Sequence, residues 1–366
     1  MSLQKYRIFS PRLEKTYFLF LSIFIILFII HVSGMFSLAK FNKDLLLFVV
    51  CFIFMNTGHT FLTVIMLCFL PEFKAWLHEK TRSKWLIPTI GIFCLIGIGA
   101  YLSASRIKPN YDGLAFFLVI LALFDGTHII SQIKGLSLMY NRTIQSTLSE
   151  DEKARYLKIE KRERFLFDAF ILLIVTHLIL LLVFNVQKRN LISLYTISAV
   201  TLVALIIINS LSYPKIENSN KRLYLLSGVF TAFSLYSAMA LLIQRALHGI
   251  EYCFLSYDVV GRSSIKMTSH TFIAISGILV LLFLVSIPSA KFPIPEDALP
   301  PAIRFPVIFF AFFLRFFHYY MDSQMFRFRD PTVRTHLIRA IIPQSLSHDS
   351  KEESHVLVNQ WVQHAK

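Results

Sequence analysis

The chain has 366 residues, of which 55% are hydrophobic and 36 are phenylalanine, and its mean hydropathy is +0.60. This composition lies far outside that of soluble domains, and no stretch remains that is long and polar enough for a soluble enzyme domain. The formal net charge of +15 comes from short Lys and Arg clusters between apolar runs, where anionic lipid headgroups would meet them, so we expect no nucleic-acid partner.

Long apolar runs predict membrane spans, because about 20 uncharged residues are needed to cross a hydrocarbon core of about 30 Å. The runs do not alternate as barrel strands do, so each is predicted to be a helix. We therefore predict an all-α, polytopic transmembrane helical bundle of about 8–10 membrane helices. The runs lie at about residues 17–37, 45–70, 86–104, 113–139, 165–185, 191–212, 223–256, 270–288 and 302–326.

The predicted domain organisation is one polytopic membrane domain over residues 1–342 and a polar C-terminal tail over residues 343–366. Residues 141–164 are predicted to form a charged, solvated cytoplasmic loop, in which Ser149 and the acidic residues after it start a surface helix. Basic residues before the first span and after the second predict a cytoplasmic N-terminus.

The side of the membrane on which the chain ends is left open by the sequence. Nine spans would place the C-terminus outside, whereas Arg327 and Arg329, predicted to anchor the last span at the membrane edge, favour the cytoplasm. The run over residues 223–256 is too long for one ordinary crossing and carries several polar residues. A break within that run would give ten helical segments.

Four histidines inside the predicted spans each have polar neighbours one helical turn away. These sets are Asn56 with His59, Asp125 and Gln132 with His128, Glu251 and Tyr252 with His248, and Asp322 with His318. Separations of three or four residues place both side chains on one helix face. Ionisable groups at membrane depth are costly and need a partner or a function, so we expect the four sets to converge inside the bundle.

Imidazoles converging from separate helices are ligands that suit iron, copper or zinc, and carboxylates beside them extend the set toward iron or manganese. The predicted metal ligands are His59, His128, His248 and His318, and the predicted catalytic residues are Asp125, Glu251, Tyr252 and Asp322. The four imidazoles could hold one iron ion, with the carboxylates orienting the rings. Alternatively, the four imidazoles and the three carboxylates together could hold two ions. A metal-free proton path and a purely structural set of buried pairs are the alternatives. His177 has no acidic neighbour at helical spacing and is assigned to the core.

Residues 316–330, FFHYYMDSQMFRFRD, resemble the closing motif of a group of largely uncharacterised bacterial polytopic membrane proteins. The motif positions are His318-Tyr319-Tyr320, Asp322, Phe326-Arg327 and Asp330-Pro331. The same group is similar in having a His-rich segment like THIISQIKGLSLMY and an earlier Asn-x-x-His helix. In layout, the chain has a more distant likeness to the membrane carotene dioxygenases associated with bacterial rhodopsins, which hold iron through histidines from several helices. These resemblances imply a bacterial inner-membrane protein with an iron site.

The function that the sequence favours is a membrane-embedded, iron-dependent oxygenase, hydroxylase or desaturase. We expect a lipid or isoprenoid substrate to enter from the bilayer, and an external electron donor is implied because no nucleotide-binding motif is present. The alternative is a transporter or proton-coupled carrier that uses the same histidines and carboxylates as a relay. Haem ligation by paired histidines is a third alternative.

Overall fold

The structure, a computed structural model, describes residues 8–34, 58–81, 86–105, 112–145, 148–182, 184, 189–213, 219–234, 237–262, 268, 270–271, 301–325 and 330–337. Within these residues there are twelve helices and no strand. The helices are α1 (Pro11–Val32), α2 (Gly58–Phe69), α3 (Pro71–Thr81), α4 (Leu86–Ser105), α5 (Asp112–Gln145), α6 (Glu150–Leu182), α7 (Arg189–Leu211), α8 (Ser219–Leu225), α9 (Ser227–Phe233), α10 (Ala238–Arg262), α11 (Pro301–Met325) and α12 (Pro331–His336). The predicted all-α bundle is therefore confirmed.

Three of the described helices, α1, α6 and α7, are long and apolar enough to cross a membrane. Their outer faces expose large hydrophobic side chains, such as Ile26, Phe165 and Ile197. Exposure of such continuous apolar faces to water would be unfavourable, whereas lipid chains can cover them. These helices therefore indicate membrane association. The first half of the predicted span at residues 45–70 and nearly all of the one at residues 270–288 lie outside the described residues.

Helix α1 begins at Pro11, earlier than the predicted span at residue 17. Proline is well suited to the first helical position, and Glu14 in the first turn lies near the positive end of the helix dipole. The early start places Glu14 and Tyr17 inside the bundle, where both are buried.

Most of the predicted charged loop over residues 141–164 is helical, because α5 continues to Gln145 and α6 begins at Glu150. The helix start after Ser149 is confirmed. Ser149 and Glu152 form a reciprocal cap, in which the Ser149 backbone N–H donates to Glu152 Oε2 at 2.9 Å and the Glu152 N–H donates to Ser149 Oγ at 3.4 Å. The first half of α6 is charged but partly internal, since its Glu163 is fully buried.

The overlong run at residues 223–256 is interrupted, as the ten-segment interpretation requires. It divides into α8, α9 and α10 around serines that bond to their own backbone. Ser234 Oγ donates to the Thr231 carbonyl at 2.8 Å, and Ser237 Oγ accepts from the Ala240 N–H at 3.3 Å at the start of α10. These local bonds compete with helix continuation and end α9 before α10 begins.

Four helices that carry the candidate site, α2, α5, α10 and α11, run in the same direction. Their contacts join residues whose numbers rise together: Asp125 with Arg245, Gln132 with Glu251, His59 with His248, Thr63 with Tyr252, His59 with His318, and Thr63 with Asp322. Helix α1 runs the opposite way to α10, because Tyr17 contacts Glu251 while the earlier Ser10 contacts the later Asp258. The start of α1 and the end of α11 therefore lie at the same end of the bundle.

Helices α5 and α6 pack closely at Gly126, beside the site residues of α5. A Cβ atom at this position would lie 3.1 Å from Ile174 Cγ2 and 3.3 Å from Leu178 Cδ1. The absence of a side chain at Gly126 thus allows the two helices to approach, which fixes α5 against the outer part of the bundle.

Candidate metal centre

The four histidines predicted to converge do meet at one point. One ring nitrogen from each of His59, His128, His248 and His318 lies within 4.8 Å of the others, and all four side chains are buried. The rings contact one another edge to face, with centroid distances of 4.6 Å for His59 and His248 and 5.0 Å for His128 and His318. We call this set the imidazole cluster.

The cluster forms because its four histidines come from four parallel helices at one level. Helices that run in the same direction keep residues of equal height together over successive turns, so each turn of the four helices makes one layer. The layer before the imidazole cluster contains Asp125 and Arg245. The layer after it contains Thr63, Gln132, Glu251, Tyr252 and Asp322.

The donor set of the cluster fits a transition metal. Within the described part of the chain, Nε2 of His128, Nε2 of His318 and both ring nitrogens of His248 have no hydrogen-bond partner. Buried polar atoms without partners are rare and costly, and a metal ion bound by imidazole nitrogens would satisfy several of them together. Opposite nitrogens around one ion lie at most about 4.2 Å apart, so small side-chain shifts from the present 4.8 Å suffice.

Asp322 lies beside the cluster and is held by hydroxyl groups. Its Oδ2 is 3.7 Å from His128 Nε2, and its Oδ1 accepts a hydrogen bond from Tyr252 at 2.9 Å. Tyr252 itself packs against His318, with ring centroids 5.1 Å apart. Asp322 and Tyr252 are thus the predicted catalytic residues that the structure brings to the imidazole cluster.

Asp125 and Glu251, the other predicted catalytic carboxylates, bond to residues that are not part of the imidazole cluster. Asp125 forms an ion pair with Arg245 and accepts from Tyr319 Oη at 2.6 Å. Glu251 accepts hydrogen bonds from three other side chains, which are Tyr17 at 2.6 Å, Gln132 at 3.0 Å and Tyr224 at 3.2 Å. Because both carboxylates have partners of their own, the arrangement favours one ion over two.

Thr63 is the site residue that the sequence analysis missed. Its Oγ1 lies 2.6 Å from His318 Nδ1 and 3.4 Å from Asp322 Oδ1, and the side chain is fully buried. With the His318 Nδ1–H donating to Thr63, the lone pair of the ring remains on Nε2, the atom without a partner. The signal was present, since Thr63 follows His59 by four residues.

No protein-family model, curated protein or solved structure matches this chain. The resemblances noted in the sequence therefore remain expectations. What the chain does is inferred below from the geometry of the cluster.

Other predicted positions can be placed or set aside. His177 is buried against Tyr195, with ring centroids 4.5 Å apart, between α6 and α7 and outside the cluster, as its assignment to the core requires. Asn56, Arg327, Arg329 and the tail over residues 343–366 lie outside the described residues. The haem alternative fits poorly, because each ring of the cluster packs edge to face against two others and the rings would have to separate to admit a macrocycle.

Replacing Thr63 by valine should lower metal affinity by about 10- to 100-fold, the usual cost of removing a group that orients a metal-binding histidine. Valine keeps the shape but removes the oxygen that holds His318 Nδ1. Thr63→Ser keeps the hydroxyl and should restore most of the affinity. Chelator competition on the purified variants measures the effect, and Thr231→Val serves as the control, since Thr231 is buried but bonds Gln244 away from the cluster. Equal metal affinities for Thr63→Val and the wild type would show that Thr63 does not contribute to metal binding.

Proposed function

We propose that the chain is a membrane-embedded, iron-dependent oxidoreductase, an oxygenase, hydroxylase or desaturase that acts on a lipid or isoprenoid. The observation that supports this most directly is the imidazole cluster, which joins four buried histidines from four parallel helices. Within the described residues, Nε2 of His128, Nε2 of His318 and both ring nitrogens of His248 have no hydrogen-bond partner. Intramembrane ionisable groups are usually functional, and four of them at one point are hard to explain as packing.

The chemistry that iron supplies when bound is the binding and activation of dioxygen. The chain's own residues have separate tasks. The imidazoles hold the ion, Thr63 fixes the orientation of His318, and Asp322 accepts from Tyr252, whose hydroxyl is a proton source beside the cluster. The histidines are buried in the interior of the bundle, which keeps water away from the reacting groups.

The substrate and partner belong to the same proposal. An apolar lipid-like substrate reaches the cluster laterally from the bilayer, and an external electron donor delivers electrons, because the sequence contains no nucleotide-binding motif. The chain lies in a bacterial inner membrane with its N-terminus in the cytoplasm. Under that orientation, α2, α5, α10 and α11 all run toward the cytoplasmic side.

Metal analysis of the detergent-purified protein tests the proposal. We expect about one tightly bound iron ion per chain, the number that a single four-histidine site holds. After anaerobic reduction the protein should consume dioxygen. Folded protein without metal, or with a redox-inactive metal alone, would overturn the enzyme proposal, and a strong Soret band would instead indicate haem.

A carrier remains the second candidate because buried ionisable groups continue past the cluster, among them Glu251 and Glu14. This function predicts metal-free protein that couples solute movement to a proton gradient in vesicles. The same purified protein therefore separates the two candidates.

A further inference from the structure

A second buried network lies next to the imidazole cluster and takes no part in metal binding. We call it the tyrosine–glutamate network, and its members are Glu14, Tyr17, Tyr140, Tyr224 and Glu251. Tyr17 and Tyr224 donate to Glu251, and Tyr140 donates to Glu14 Oε1 at 2.6 Å. The tyrosine rings are close neighbours, with centroids 5.9 Å apart for Tyr17 and Tyr224 and 6.1 Å apart for Tyr140 and Tyr224.

The members of the network are almost completely buried, each with an exposed fraction of 2% or less, and they come from four different helices. Glu251 has three hydrogen-bond donors, and among the described residues no Lys or Arg forms an ion pair with it. A buried carboxyl group of this kind is stable when it shares or holds a proton, and its tyrosine partners can both donate and accept. The network is therefore able to store and pass protons.

Helix register gives the network a direction. Helices α1 and α10 are antiparallel, and the contacts of Tyr17 with Glu251 and of Ser10 with Asp258 set Glu14 at a level between Glu251 and Asp258. With a rise of 1.5 Å per residue, Glu251 lies about 4.5 Å from His248 along the axis, toward the C-terminal end of α10. Glu14 lies about 4.5 Å beyond Glu251 in the same direction. Successive carboxyl-bearing residues are thus separated by about one helical turn along the axis.

Each end of this row of carboxyl groups has an identifiable neighbour. At the inner end, Gln132 donates to Glu251 at 3.0 Å and lies one turn from His128 on α5. At the outer end, Asp258 pairs with Arg262, whose side chain is 21% exposed, where α1 begins. Asp258 is about 6 Å beyond Glu14 along the axis, so the carboxyl groups follow one another from the imidazole cluster toward the surface of the bundle.

We propose that the tyrosine–glutamate network is a proton route between the metal centre and the end of the bundle at which α1 begins. This inference rests on the proposed function. Hydroxylation of a C–H bond by dioxygen consumes two electrons and two protons: one oxygen atom enters the substrate as C–OH, and the other leaves as water. The external donor supplies the electrons, and the network supplies the protons from the aqueous phase.

Glu251→Gln in the full-length, iron-loaded protein tests the route, because glutamine keeps the size and the acceptor oxygen but does not carry a proton. The reduced protein is mixed with dioxygen in weakly buffered detergent solution without substrate, so that two reduced chains together reduce one dioxygen to hydrogen peroxide. A pH-indicator dye follows the uptake of the one proton per iron that this oxidation requires. We expect uptake to slow at least about tenfold, a change of about 1.4 kcal/mol in barrier. Bound iron should be unchanged, and added formate, a small proton carrier, should restore part of the rate.

Matched variants separate a route from a merely structural network. The double variant Tyr17→Phe/Tyr224→Phe removes only hydroxyl groups and should slow uptake in the same way, even if Glu251→Gln fails to fold. Tyr195→Phe removes the hydroxyl of another buried tyrosine, which donates to the Thr231 carbonyl, and should leave uptake unchanged. Wild-type uptake rates in the iron-loaded network variants would overturn the route alone, whereas a wild-type chain that binds no iron would overturn the proposed function and the route together.

Discussion

Alanine at His128 or His318 is expected to abolish stoichiometric metal binding, with affinity falling by more than about 100-fold. Removing a group that only orients a ligand costs about 10- to 100-fold, and removing the ligand itself costs more. Both histidines are buried in the centre of the cluster and each contacts two of the other rings. Elemental analysis and chelator titration of the purified variants measure the loss.

His177→Ala is the control for the histidine variants. It also removes a buried imidazole from a membrane helix, but from one that packs against Tyr195 outside the cluster. It should lower stability without changing metal content. Retention of the metal by His128→Ala and His318→Ala, or an equal loss in His177→Ala, would contradict the four-histidine site.

Methionine at Lys221 should reduce the free energy of unfolding by about 3–5 kcal/mol, the usual cost of leaving one member of a buried ion pair alone. Lys221 Nζ is fully buried and donates at 2.6 Å to Glu163 Oε2 and at 2.6 Å to Asn141 Oδ1. Glu163 also accepts from Ser137 and Tyr213, so the pair joins α5, α6 and α8. Detergent-phase unfolding, followed by tryptophan fluorescence, measures the difference.

The double variant Lys221→Met/Glu163→Gln should recover much of that loss, because it no longer buries an unpaired carboxylate. Lys153→Met is the matched control: Lys153 pairs with Glu150 in the charged first turn of α6, where the Glu150 side chain is 82% exposed, and such a surface pair contributes about 0–1 kcal/mol. Equal effects of Lys221→Met and Lys153→Met would show that the buried pair does not hold these helices together.

The convergence of the four histidines was predictable because it follows from local patterns. Hydropathy places His59 and His128 inside spans, and a spacing of three or four residues puts polar neighbours on the same face. No longer-range information is needed to expect that such faces turn away from lipid. The same reasoning found the core role of His177 and the break before α10.

The partners of the carboxylates were not predictable, because they depend on register between helices far apart in sequence. Asp125 looked like a companion of His128, yet the parallel packing of α5 and α10 sets it opposite Arg245. Glu251 likewise turns toward Tyr17, a residue from the other end of the chain. Spacing along one helix predicts the face on which a side chain lies. Its hydrogen-bond partner depends on the register of the neighbouring helix.

The burial of Glu163 in the charged segment after α5 was not predictable, for a related reason. Its composition is that of a solvated loop, and composition alone cannot show that Glu163 finds a buried lysine on a helix that begins at Ser219. Pairing removes most of the cost of burying the charge, so a polar stretch can become an internal part of the bundle.

The four histidines of the imidazole cluster lie between residue 59 and residue 318, so the cluster is complete only after 318 residues have been synthesised and inserted. Binding of the proposed metal would therefore come late in biogenesis and would stabilise the assembled bundle in preference to any chain that stops before His318. A cell that supplies the ion would in this way favour chains that carry all four histidines over truncated ones during quality control.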